Sequence, residues 1–378
     1  MIQRFFHPVG QGAFYSERHI DDNINIVYDC GTEYTNRGNK GTKGVVSQSF
    51  SKNDVIHYLF ISHFDYDHIS LIPILKEGVK RIERVVLPLL HEETKLFLSN
   101  IYSVLGEKEL ATLVRVPNQY FGSDTQIIAV ESINNNDDNF SKEDESGKEG
   151  KNNKVKKIRS GEILSLPTKE SDWVFIPYNY EYEILSKDFV KKIQDSIVDL
   201  QKLKKDSEYA ILESVINELK KIYKRLKGGI NQNSMFVYSG PEKEISHEIY
   251  QVYQRRIIDE FYSKLMCYNL MLPKRPACLY TGDGDLNVVD VQSVYKDYWH
   301  FIGTIQIPHH GSYSSFNENI LFNRPFFCPI SVGKNNSYGH PSQKVISRLL
   351  QYESYPILVT EDVDSTFVEI IRPWYYRF

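Results

Sequence analysis

Residues 62 to 68 read Ser62-His63-Phe64-Asp65-Tyr66-Asp67-His68, which places four side chains able to bind a metal within six residues. No other stretch constrains the fold as strongly. The cluster follows directly on the apolar run 57–61, so a strand delivers it to the edge of a sheet. Alternation through a short turn points His63 and Asp65 one way and Asp67 and His68 another. One loop can then serve two adjacent metal positions, the arrangement that a two-metal hydrolytic centre requires. The competing reading is a surface turn in which Asp and His make only local hydrogen bonds.

Three further clusters repeat the theme of polar residues at the end of an apolar run. Tyr280-Thr281-Gly282-Asp283-Gly284-Asp285 ends a short β-rich segment, and a carboxylate there could bridge two ions, although GDGD is also ordinary turn chemistry. Ile307-Pro308-His309-His310-Gly311-Ser312 sets two imidazoles beside a glycine that lets the backbone turn sharply. Residues 331–341 form a loop that carries His340, with Lys334 nearby. Taken alone, His340 is as consistent with a structural loop histidine as with a catalytic one.

The rest of the chain organises around these clusters. Strands are expected at 2–6, 24–28, 57–62, 278–281 and 304–308. Residues 134–153 are dominated by Asn, Lys, Asp, Glu, Ser and Gly and cannot bury enough apolar surface to order themselves, so a flexible loop is expected over 134–160. From 187 the pattern turns helical, with Val190, Ile193, Ile197, Leu200 and Leu203 on one stripe and Leu212, Val215, Leu219, Ile222 and Leu226 on another. Residues 204–208 either turn between two helices or lie on the exposed part of one long helix. A further amphipathic helix is expected over 242–271, which gives a helical insertion of 187–271. Its apolar stripe either braces the chain's own core or docks a protein partner or second copy.

Composition bounds the partners. A formal net charge of -4 leaves no basic footprint, so a nucleic-acid substrate has to be held by local Lys/Arg clusters or by the metals themselves. Cys30, Cys267, Cys278 and Cys328 show no CxxC spacing, which argues against a disulfide framework or zinc ribbon and for a reducing compartment. The first residues hold no signal-peptide core, and no run of about 18 apolar residues is long enough to span a bilayer. The expectation is a soluble, cytoplasmic protein with no membrane partner.

In order along the chain, Val9-Gly10-Gln11-Gly12, Tyr28-Asp29-Cys30-Gly31, the 63–68 turn, Asn231-Gln232-Asn233-Ser234, Thr281-Gly282-Asp283, His309-His310-Gly311-Ser312 and Gly339-His340-Pro341 form one pattern. It resembles the metallo-β-lactamase-like hydrolase domain of the ComEC competence DNA-channel protein and its soluble relatives. The resemblance implies a single domain over 1–378, an α/β fold built as an αβ/βα sandwich, with the metals at one edge between the two sheets. It also implies two divalent ions, zinc or manganese. His63 and Asp65 would hold the first, Asp67 and His68 the second, and Asp283 would bridge them. His309 or His310 would complete the second site, with His310 favoured because it directly precedes Gly311. An oxygen-rich first site should tolerate manganese better than a purely imidazole one.

The sequence also departs from that family. Ile69-Ser70-Leu71 replaces the usual glycine pair, Asn233-Ser234 stands where a further histidine ligand is usual, and the channel's membrane helices are absent. The function expected is that of a phosphodiesterase or nuclease acting on DNA or another nucleic acid through a metal-activated hydroxide, with a phage-defence assembly as one setting for it. Asp67, His309 and His340 are the candidates for proton transfer and for holding phosphate oxygens. Two alternatives remain: a hydrolase of small esters, lactones or thioesters, and a non-enzymatic partner-binding module with a structural metal site.

Overall fold

The computed structural model describes residues 1–33, 40–133, 155–168, 172–180, 187–225, 234–244, 247–254 and 275–373. One sheet carries β1 (Ile2–Phe6), β2 (Phe14–His19), β3 (Ile24–Cys30), β4 (Val55–Phe60), β5 (Arg81–Ile82), β6 (Arg84–Pro88), β7 (Gln126–Ile133), β8 (Lys156–Arg159), β12 (His247–Gln254) and β17 (Phe367–Pro373). The other carries β9 (Leu164–Ser165), β10 (Trp173–Tyr180), β11 (Ser234–Pro241), β13 (Ala277–Tyr280), β14 (Ile302–Ile305), β15 (Phe327–Ser331) and β16 (Tyr355–Val359). In the first sheet β3, β4, β6, β7 and β8 run parallel, while β12, β17, β1 and β2 continue it antiparallel. In the second, β13 to β16 are parallel and β9, β10 and β11 antiparallel. The ends of β7 and β10 pair through Ser132 and Ile133, which joins the two sheets along one side.

Successive strand residues point to opposite faces, and here both faces are buried. Tyr58 and Phe60 of β4 enter the layer between the sheets with Met235 and Val237 of β11, whereas Leu59 turns outward beneath helices. On that outer face lie α1 (Lys40–Ser49), α2 (Tyr66–Ile69), α3 (Ile72–Gly78), α4 (Glu92–Leu105), α5 (Lys108–Arg115) and α6 (Pro117–Phe121). Phe236 and Tyr238 face the opposite outer layer, which is covered by α11 (Val291–Val294) and α12 (Gln343–Gln351). Helices, sheet, sheet, helices is the αβ/βα order that the metallo-β-lactamase resemblance implies.

Several boundaries differ from the sequence expectation. The flexible loop expected over 134–160 is corrected at its end, where β8 pairs in parallel with β7 from Lys156 to Arg159. Its larger part, 134–154, lies outside the described residues. The helical insertion expected over 187–271 is helical only to Arg225 among the described residues, as α7 (Lys187–Gln194), α8 (Leu200–Lys205), α9 (Ser207–Ala210) and α10 (Glu213–Arg225). Neither one long helix nor a simple hairpin forms, because Asp199 and Asp206 each cap a new helix by accepting two backbone N–H bonds. Ile193, Leu203, Val215, Leu219 and Ile222 join the core beneath α4, while Ile197 and Leu212 of the expected stripes are exposed. Asn100 of α4 donates to the Leu203 carbonyl at 2.9 Å, so the insertion braces the chain's own core.

The helix expected over 242–271 is corrected as well, since β12 hydrogen-bonds along β17 from His247 to Gln254. Its run Ile249-Tyr250-Gln251-Val252-Tyr253 fits a helical period as well as a strand, and its backbone pairs along the edge that β17 offers. Residues 255–271 of that expectation lie outside the described residues. Among the described residues, no helix is long and apolar enough to cross a membrane.

The layer between the sheets contains one ionic cluster. Arg4, fully buried, donates to Glu17 at 2.8 Å, to Glu369 at 2.7 Å and to the Pro276 carbonyl at 3.1 Å. Across the interface Ser239 and Tyr280 donate to Glu17, and Thr304 donates to Glu369. Burial opposes the Glu17 charge, but Arg4 and then His19 outweigh it and lower its pKa from 4.5 to about 2. A carboxylate lowered in the folded state stabilises fully above its unfolded pKa, and that stability is lost as pH falls through the folded value. Unfolding free energy should therefore drop between pH 4.5 and about 2 with a slope that Glu17→Gln flattens, as measured by urea titration at stepped pH. An unchanged slope would show that other carboxylates control acid unfolding.

Candidate metal centre

Strands from both sheets end at one edge, and the side chains noted in the sequence emerge there. Parallel strands gather their carboxyl ends on one side, which makes that edge the natural place for a site. β4 leads into Ser62 and His63, β13 into Asp283, β14 into His309 and His310, and β15 into the loop that bears His340. The turn 65–68 is held from beneath by close backbone approach. A Cβ on Gly31 would come within 2.5 Å of the Asp67 carbonyl, and one on Gly12 within 2.9 Å of the same oxygen. The Val9–Gly12 and Tyr28–Gly31 motifs are thus the floor on which this turn rests.

Three residues fix the imidazoles. Buried Asp29 accepts from the Ser62 amide at 2.7 Å, from Ser62 Oγ at 2.6 Å and from His68 Nδ1 at 2.8 Å. Because Ser62 gives its only hydroxyl proton to Asp29, it must accept from His63 Nδ1, 2.8 Å away. His310 Nδ1 can only donate to the Ser331 carbonyl, at 2.9 Å. All three rings therefore carry their proton on Nδ1 and turn Nε2 inward, the orientation of metal-binding histidines. Asp29 and Ser62 were not among the expected site residues, although the Asp29-Cys30-Gly31 step at a strand end was their visible trace.

The carboxylates meet these nitrogens. Asp283 Oδ1 lies 3.1 Å from His68 Nε2, and its Oδ2 lies 3.9 Å from His63 Nε2 and 4.0 Å from His309 Nε2. Asp67 Oδ2 lies 3.0 Å from His310 Nε2 and 3.9 Å from His68 Nε2. Asp65 comes within 3.7 Å of His63 Nε2. Two overlapping groups result: His63, His68 and Asp283, and Asp67, His68 and His310. Asp285 turns aside to accept from the Asn287 backbone and side chain, both at 2.9 Å.

Gln306, also unforeseen, shapes the Asp283 turn. Its buried side chain accepts from the Thr281 and Gly282 amides at 2.8 Å and donates to the Gly282 carbonyl at 3.1 Å. Ser234, where the sequence resemblance led to an expected histidine, accepts from the Asp283 amide at 3.1 Å. Its short side chain serves the turn.

His309 and His340 lie on the open side, their ring centres 5.8 Å apart. His309 remains 28% exposed and contacts Ser315 Oγ at 3.3 Å. His340 is held by its loop, where Asn336 bonds both its amide, at 3.1 Å, and its carbonyl, at 2.8 Å.

Burial is the largest influence on the charge of each buried group. It pushes His63 down to about 3, with the neighbouring His68 adding to the effect. At His68 burial is outweighed by Asp283, Asp67 and Asp29, so that imidazole is raised well above its ordinary value. Asp283 is held well below the carboxylate range against burial, chiefly by His309 and His68. Burial and then His309 lower His340 to about 4.

A site complementary to cations should combine converging carboxylates with inward, unbonded imidazole nitrogens. This one does. His63 Nε2 and His68 Nε2 are buried with no well-formed hydrogen bond among the described residues, a costly state that a divalent ion would relieve. Asp29→Ala should therefore leave the strands intact and weaken metal affinity roughly 10–100-fold by releasing His68. Titration with a metallochromic competitor measures this, and unchanged affinity would remove Asp29 from the centre.

No family model matches the chain, and no curated protein does. Among solved structures it is similar to that of unliganded yeast PDE1, at 10% identity over 98% of this chain and 99% of that one, with a TM-score of 0.40. At that distance the site's own geometry has to carry the functional conclusion.

Proposed function

We propose that the chain is a metal-dependent hydrolase that cleaves phosphodiesters of nucleic acid with two divalent cations, zinc or manganese. The observation that carries this reading is the pair of ligand groups that share His68. His63 and Asp65 would hold the first position and Asp67, His68 and His310 the second. Asp283 would serve both, since its two oxygens face different imidazoles. When bound, divalent cations polarise a phosphoryl oxygen and lower the pKa of water toward neutrality.

The chain's own residues supply the rest. Asp67, beside His310 at 3.0 Å, is the candidate to take a proton from the attacking water. His309, partly exposed beside Asp283, is the candidate to protonate the leaving oxygen. His340, neutral at physiological pH, can donate a hydrogen bond to a phosphate oxygen.

Metal content of the purified protein, with turnover on single-stranded DNA, RNA, cyclic nucleotides and a generic phosphodiester, tests the reading. Phosphodiester cleavage abolished by chelation and restored by Mn2+ or Zn2+ is the expected result. Turnover confined to esters, lactones or thioesters would transfer the site to that chemistry, and bound metal without any turnover would favour a binding module.

A further inference from the structure

The rim of the metal centre carries an aromatic ring and a cation that the catalytic reading does not use. Tyr313 follows His310 by three residues, in the turn Tyr313–Ser315, and the residue is 45% exposed. Lys344, exposed in the first turn of α12, places Nζ 4.9 Å from the centre of that ring. Among the described residues Lys344 forms no ion pair, whereas Lys334, the other lysine of this region, is bound to Asp362.

Both residues are tied to the ligand-bearing loops. Ser315 contacts His309 Nδ1 at 3.3 Å, and the Leu286 amide donates to the Ser315 carbonyl at 3.0 Å, which links the Tyr313 turn to the Asp283 loop. On the other side the Ser342 amide donates to the Gly311 carbonyl at 2.9 Å, so the start of α12 is fastened beside His310. An exposed ring on a fixed turn loses little freedom when it stacks on a ligand. A lysine beside it can take a phosphate without giving up another partner. Ring and cation side by side are how single-stranded nucleic acid is held without sequence preference, the ring by stacking on a base and the cation by tracking the backbone.

We infer that Tyr313 and Lys344 form a stacking and phosphate-holding rim that selects single-stranded nucleic acid over other phosphodiesters. The inference rests on the phosphodiesterase reading for its purpose but can be tested separately from it. A fluorescent thymidine decamer is compared with a decamer of abasic sites bearing the same number of phosphates. Binding is read by anisotropy with Mn2+ present, and cleavage is read in parallel.

Tyr313→Ala should weaken thymidine decamer binding by about tenfold and leave the abasic decamer within about twofold, with Tyr313→Phe close to wild type. Lys344→Ala should weaken both ligands and lessen the salt dependence of binding. Tyr313-dependent binding without cleavage would keep the rim and overturn the catalytic reading. Equal losses on both ligands in Tyr313→Ala, no loss on either, or no binding of either decamer by the wild type would overturn the rim.

Discussion

Asp283→Asn should cost both of the proposed metal positions at once, with affinity falling more than roughly 100-fold and turnover falling with it. The scale follows from comparison: even partners that stand behind a ligand are worth 10–100-fold in metal affinity. A carboxylate that faces two imidazoles through two different oxygens has no neutral substitute. Asn keeps the shape but loses the charge and one of the two acceptors, so it cannot face both His63 and His68 as a carboxylate does. Asp285→Asn is the matched control, because Asp285 is engaged with Asn287 and should change metal content little. Metal stoichiometry of the two variants decides between them. Loss of metal in Asp285→Asn with retention in Asp283→Asn would pass the bridging role to the other carboxylate.

Arg4→Ala should lower unfolding free energy by about 3–5 kcal/mol, since it leaves Glu17 and Glu369 buried without a counter-charge. Against the roughly 5–15 kcal/mol that folds a typical domain, that loss is large enough to unfold much of the population at growth temperature. The cost arises from the stranded carboxylates and not from the missing guanidinium alone. The triple variant Arg4→Met, Glu17→Gln, Glu369→Gln should therefore recover most of the stability that Arg4→Ala loses. Urea unfolding of both measures the difference. A loss below about 1 kcal/mol in Arg4→Ala would mean that water reaches the cluster and the carboxylates are not truly desolvated.

Much of the centre could be read along the chain, because its His and Asp side chains are clustered just beyond strand ends. His63, Asp67, His68, Asp283 and His310 all lie in such clusters, and the structure brings them within reach of one another. Asp29, Ser62 and Gln306 escaped notice for a physical reason. Asp29 is 39 positions from His68 and Gln306 is 24 from Gly282, while Ser62 adjoins His63 but takes its role only because the distant Asp29 accepts its hydroxyl proton. Their role exists only once β3 lies beside β4, and β14 beside β13.

The same division runs through the fold. Apolar runs located β1, β3, β4, β13 and β14, and the density of His and Asp at strand ends pointed to a cation-binding edge. Helical periodicity over 187–225 determined helix but not its segmentation, which the capping carboxylates of Asp199 and Asp206 decided locally. Only the tertiary structure decided that 247–254 is a strand, because a short apolar run satisfies either period until an unpaired neighbour such as β17 offers backbone hydrogen bonds. Only the tertiary structure, too, could turn each Nε2 inward. The tautomer of a histidine is set by what its other nitrogen touches, and those contacts are made across the sheets rather than along the chain.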